Sequence, residues 1–155
     1  MNIVGEIKVN MAPVQSIIAR HGIGPGGDVQ QFHTANVLRR IQKYMPYRSG
    51  LTIKNMIANS PVSDPLIRVP GPYARYLYHG KVMVNEKTGK GPAYIPNVGY
   101  RYKRGTKLKA TDRDLTYTTT KNPQAGPYWD RRLKAAELDA MQADLQQYVK
   151  LRGVK

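Results

Sequence analysis

Apolar and polar positions divide the chain into short elements separated by glycine and proline. In residues 1–10, Ile3, Gly5, Ile7 and Val9 alternate loosely with Val4, Glu6, Lys8 and Asn10, which predicts a short strand. Val14, Ile17 and Ile18 then recur at helical spacing in a segment that Pro13 opens and His21-Gly22 closes. A glycine-rich break follows at 21–27 and reads as a hinge. As a phosphate loop it lacks a following Lys-Ser/Thr, and Asp28 would repel the anion. Asp28 is placed to cap a helix reaching about Met45, with an apolar stripe of Val29, Phe32, Val37, Leu38, Ile41, Tyr44 and Met45 and a stop at Pro46. Arg39, Arg40 and Lys43 sit in its last turns, where the helix dipole favours cations.

The next stretch is ambiguous. Leu51, Ile53, Met56 and Ile57 fit a short helix capped by Ser49, whereas Leu51, Ile53 and Asn55 alternate as a strand would, and period alone does not decide. Residues 62–69 read as a strand. It feeds Pro70-Gly71-Pro72-Tyr73-Ala74-Arg75-Tyr76-Leu77-Tyr78-His79-Gly80, where a bend leads into about two helical turns that Gly80 ends. Tyr73, Tyr76 and Leu77 fall at i, i+3 and i+4 there, and such amphipathic rings suit a packing or interface hub that also takes in Tyr78. Residues 81–85 predict a strand, 86–92 an exposed loop, and 93–110 a long projecting arm or hairpin. Residues 115–120, rich in threonine, predict another strand. A final helix spans about 127–151, with Tyr128 and the only tryptophan, Trp129, at its mouth. It carries two apolar stripes: Trp129, Leu133, Ala136, Ala140 and Ala143, and separately Leu138, Met141, Leu145, Tyr148 and Val149. They fit either two packing sides or one wide core face.

Charge sharpens this outline. The 155 residues carry 25 Lys/Arg against 10 Asp/Glu, a net +15, which points to a polyanionic partner. Residues 81–121 alone hold a net +7. The cations Lys90, Arg101, Lys103, Arg104, Lys107, Lys109 and Arg113 are therefore the candidate DNA-facing or partner-facing set. One domain, 1–155, is expected, with 1–27 as an N-terminal extension and 81–121 as the basic arm. Cysteine is absent, no apolar run is long enough for a membrane span, and the first residues lack the basic-then-apolar pattern of a cleavable signal.

Catalytic patterns are lacking. No serine lies in a Gly-x-Ser-x-Gly setting, there is no His-Glu-x-x-His, and the three histidines have no ligand spacing. Asp112/Asp114 and Glu137/Asp139 read as solvated surface charge, and Asp112 with Asp114 makes a weak cation or nuclease site. The reading is not an enzyme, and without cofactor or metal.

Three motifs come in order: Arg48-Ser49-Gly50-Leu51 after a helix, Pro72-Tyr73-Ala74-Arg75-Tyr76 with Gly80, and, beyond a long insertion, Asn122-Pro123-Gln124-Ala125-Gly126-Pro127-Tyr128-Trp129 before a closing helix. In this order they resemble the minor capsid and tail-completion (neck) proteins of long-tailed bacteriophages, over about residues 28–135. The sequence departs from that pattern at Asn55, where a small hydroxyl residue is expected, and in the length of 81–121. The resemblance implies an α+β fold with helices packed on a small, mostly antiparallel sheet. It further implies a ring of copies in the virion, between the portal and adaptor assembly and a tail-tube or tail-terminator protein. Double-stranded DNA would pass through the ring and be bound at its phosphates without sequence readout. A free, sequence-nonspecific nucleic-acid-binding module is the alternative, from the interleaved tyrosines and cations of 94–113.

Overall fold

The structure, a computed structural model, describes residues 13–71 and 73–153. The strand expected in 1–10 lies outside the described residues. Among the described residues the order is α1 (Val14–Arg20), α2 (Asp28–Ile41) with a 3-10 turn at Gln42–Tyr44, α3 (Leu51–Ala58), α4 (Ala74–His79), β1 (Lys81–Asn85), β2 (Ala93–Ile95), β3 (Gly99–Arg101), β4 (Leu108–Asp114) and α5 (Trp129–Arg152). The fold is α+β, with a long C-terminal helix and two small antiparallel ladders, β1–β4 and β2–β3.

The central apolar cluster joins Leu38 and Ile41 of α2, Tyr44 and Met45 after it, Ile53 and Met56 of α3, and Trp129, Leu133 and Met141 of α5. Met45, which precedes Pro46, takes extended backbone and so ends the helical run where the proline dictates. The open choice at 51–58 resolves as helix. Gly50 heads it in the left-handed conformation (φ 75°), and Ile53 and Met56, three apart, both turn into the core.

α2 and α5 run antiparallel, and polar side chains mark their seam. Arg40 donates through one guanidinium nitrogen to Glu137 and through another, at 2.6 Å, to Asp144. Asn36 donates to Asp144 at 3.0 Å and accepts from Arg40 Nε at 2.9 Å. The Tyr44 hydroxyl and Lys43 Nζ both reach Glu137 Oε1, each at 2.5 Å. At the far end Arg152 pairs with Asp28 at 2.7 Å, Tyr148 donates to the same carboxylate, and Phe32 stacks on Tyr148 at 4.3 Å. Asp28 is thus not a cap: Gly27 holds that position with no side-chain bond, and the Asp28 carboxylate is turned to α5 instead. Glu137 is likewise no solvated surface acid; it is largely covered, while Asp139 is exposed.

Three further expectations are corrected. Residues 62–69 form no strand, because Pro61, Pro65 and Pro70 remove ladder donors and, among the described residues, no second strand lies alongside. Buried Ser60 substitutes for one, its hydroxyl accepting from the Arg68 N–H at 2.8 Å and bonding the Arg68 carbonyl. Residues 115–120 are not a strand either. They continue β4 past the start of its partner: β1 begins at Lys81 and the chain before it closes α4 at Gly80, so the last backbone bond of the ladder is the Leu115 N–H on the Gly80 carbonyl at 2.7 Å. On α5 the alanine stripe faces solvent. The packed face steps from Trp129 to Leu133, Glu137, Met141, Tyr148 and Arg152, mixing both predicted stripes and passing through a carboxylate.

Met56→Ala, at a fully buried position, is expected to lower unfolding free energy by about 2–5 kcal/mol, whereas Leu138→Ala on the exposed side of α5 stays within about 0.5 kcal/mol, both read by urea denaturation. A second outcome concerns acid. Burial alone pushes the Glu137 carboxyl up, but donors from Lys43, Tyr44 and Arg40 outweigh it and hold it down at about 2, against an ordinary 4.5. The Arg40 hydrogen bond lowers Asp144 as well. The folded state therefore binds these protons more weakly than the unfolded chain. The stabilisation is complete above pH 4.5 and is lost as pH falls towards 2. Urea midpoints measured across that window should fall with pH, and less steeply in Glu137→Gln.

Candidate functional site

The helical body passes into the arm at Gly80. α4 ends there in a left-handed turn (φ 71°), with the Gly80 N–H on the Tyr76 carbonyl at 2.8 Å, and β1 starts at the next residue. β1 pairs antiparallel with β4, Val84 opposite Lys109 and Lys81 opposite Asp114, with an irregularity between Lys81 and Met83. Lys81 Nζ meets Asp114 at 2.6 Å, and this bond raises the lysine's pKa.

Three tyrosine hydroxyls fasten the arm through backbone carbonyls. Tyr76 of α4 donates to Leu108 at the start of β4 (3.1 Å), Tyr117 donates to Leu77 of α4, and Tyr102 donates to Met83 of β1 (2.8 Å). Burial pushes Tyr117 up to about 12 and raises Tyr102, so both remain protonated donors.

The second junction gathers Tyr78, Tyr128 and Trp129. The Tyr78 ring meets Trp129 edge-on at 5.0 Å and Tyr128 at 5.2 Å, and its hydroxyl donates to Asp130 at 2.8 Å. That bond, then burial, raises the Tyr78 pKa. Tyr128 has a left-handed backbone (φ 50°), unusual for a bulky residue. Its N–H on the Tyr78 carbonyl (2.9 Å) and the Arg131 guanidinium over its ring (4.8 Å) hold it there. Tyr73 stands outside both junctions, exposed at the head of α4.

Beyond Tyr102 lies the tip. Pro96 and Asn97 (φ 62°) form a turn closed by the Val98 N–H on Ile95, and among the described residues β2 and β3 pair only with each other, Tyr94 opposite Tyr100. These two rings meet edge-on at 5.3 Å and are 64% and 61% exposed. From 87 to 111 the chain has seven Lys/Arg and no Asp, Glu or His. Lys90, Arg101, Lys103, Arg104, Lys107, Lys109 and Arg113 are all exposed, and among the described residues none of them is in an ion pair. Nowhere among the described residues do three or more His, Asp or Glu gather as a metal would need. Asp114 is engaged by Lys81, and Asp112 is exposed.

Sequence reasoning found the arm and its cations but missed what holds them. By sequence Tyr117 reads as part of a strand and Asn122 as its end. In the structure Asn122 donates to the Gln42 and Met45 carbonyls, both at 2.9 Å, fixing the approach to α5. A signal for the α2/α5 seam was available: Glu137 and Asp144, seven apart, match Asn36, Arg40 and Lys43 at i, i+4 and i+7.

No protein-family model, curated protein or solved structure matches the chain.

Gly80→Ala tests the body–arm joint. A Cβ there would stand 3.0 Å from Pro127 Cβ and 3.1 Å from the Tyr117 hydroxyl, whereas Gly89, also left-handed (φ 66°), has open space. Gly89→Ala should cost about 1–2 kcal/mol from backbone strain alone. Gly80→Ala should cost more and should also speed amide exchange at Leu115.

Proposed function

We propose that this chain is a structural subunit of a bacteriophage head–tail junction, in the manner of neck or tail-completion proteins. Copies form a ring between the portal and adaptor assembly and the tail-tube or tail-terminator protein, within the virion. The basic arms face the DNA channel or a neighbouring subunit. The observation that carries this reading is an acid-free cationic hairpin on a ladder that the Tyr76 and Tyr117 hydroxyls tie to the helical body, whose charges have no ion-pair partner among the described residues. Such charges are suited to phosphates, and a channel that DNA merely traverses needs contacts that read no sequence. The resemblance supports it further. Its three motifs coincide with working joints: Gly50 heads α3, Gly80 turns the chain into β1, and Trp129 sits in the core. The role is structural and calls on no catalytic group.

A free nucleic-acid-binding module is the second reading, favoured by the exposed Tyr94–Tyr100 pair. Native mass measurement of the purified protein, with protein identification in purified particles, separates the two. A ring-sized oligomer present in virions is expected. A strict monomer missing from virions overturns the junction reading.

A further inference from the structure

We infer that the tip of the arm binds unpaired nucleotides, stacking exposed bases on Tyr94 and Tyr100 while the surrounding cations hold the phosphates. The three tyrosines between residues 94 and 102 divide the work. Tyr102 is half-buried and fastened to Met83, which accounts for its presence structurally. Among the described residues Tyr94 and Tyr100 make no side-chain hydrogen bond and meet each other: they sit opposite in the β2–β3 register, on one face of a two-stranded ribbon, and both are exposed. A cross-strand pair helps hold a hairpin, but that task leaves the outer ring faces free. Arg101 follows Tyr100 directly, and Lys103, Arg104, Lys107 and Lys109 lie within the next eight positions, with no acid among them. Aromatic faces beside a cationic track are the features that grip single strands, because every base offers a π-face and every linkage a phosphate.

Duplex DNA would use the cations alone, since its bases are stacked away from the protein. A second copy of this chain is a poor occupant, because the rest of the chain is itself net positive. The inference deepens the junction reading by naming what the arm recognises, for example a DNA end or a locally opened segment. It shares with that reading the assignment of the arm to a polyanion, but not the particle. Absence from virions would remove the junction and leave the binding measurement standing, and the reverse also holds.

Fluorescence anisotropy with the full chain tests it, using labelled oligothymidylate, a duplex of equal length and phosphatidylserine vesicles. Oligothymidylate binding should be salt-sensitive and should weaken about tenfold or more in Tyr94→Val/Tyr100→Val, with duplex binding unchanged. Valine keeps strand propensity, and amide spectra check that the hairpin persists. Tyr94→Phe/Tyr100→Phe, which keeps the ring faces, should restore binding. Equal binding of both nucleic acids by the native and valine forms, parallel loss of both that phenylalanine does not rescue, or binding to vesicles without binding to oligothymidylate would overturn the inference.

Discussion

The Arg40 guanidinium, forked between Glu137 and Asp144, fixes how the two longest helices lie against each other. An ion pair of this kind adds little net stability by itself, since covering charges costs much of what their attraction returns. Its value is in register. A shift of α5 by one turn would leave Arg40 without its fork, Lys43 and Tyr44 without Glu137, and Asn36 without Asp144, all in a partly covered seam. Apolar contacts among Leu38, Ile41, Leu133 and Met141 would tolerate such sliding far better. Polar geometry thus selects one alignment, and the apolar cluster supplies the stability.

That alignment reaches the arm through the segment before α5. Asn122 grips the carbonyls that end the α2 run, Gly126 donates to the Tyr44 carbonyl at 3.1 Å, and Tyr128 docks on α4. α4 in turn carries Tyr76 and Gly80, which set the base of the ladder. The ends of α2, α4 and α5 therefore converge where β1 and β4 emerge, so the direction of the arm is determined by helix packing. Few apolar residues are needed in the arm itself because hydroxyl-to-carbonyl bonds anchor it.

Elements with a clear local signal were legible from sequence. The helical periods of α2 and α5, the Gly80 stop and β1 all express local chemistry. What escaped depended on partners. Residues 115–120 have strand propensity, but pairing is a property of two segments, and opposite them the pairing segment has already turned from β1 into α4 at Gly80. The face of α5 was obscured because Glu137 belongs to it, and a carboxylate in an apolar stripe reads as solvent-facing until the opposing arginine is seen. Of the candidate site, the cations were visible as a charge excess, while the separation of Tyr102 from Tyr94 and Tyr100 rested on which carbonyl came within reach.

The stretch from 87 to 111 has neither carboxylate nor imidazole, so its charge stays constant through the neutral range. The helical seam, by contrast, depends on two carboxylates. Mild acidification therefore leaves the positive field of the hairpin in place, while dissolved salt weakens that field directly by screening. The molecule keeps these responses apart in space: ionic strength acts on the field of the limb, and strong acid acts on the seam of the body that carries it.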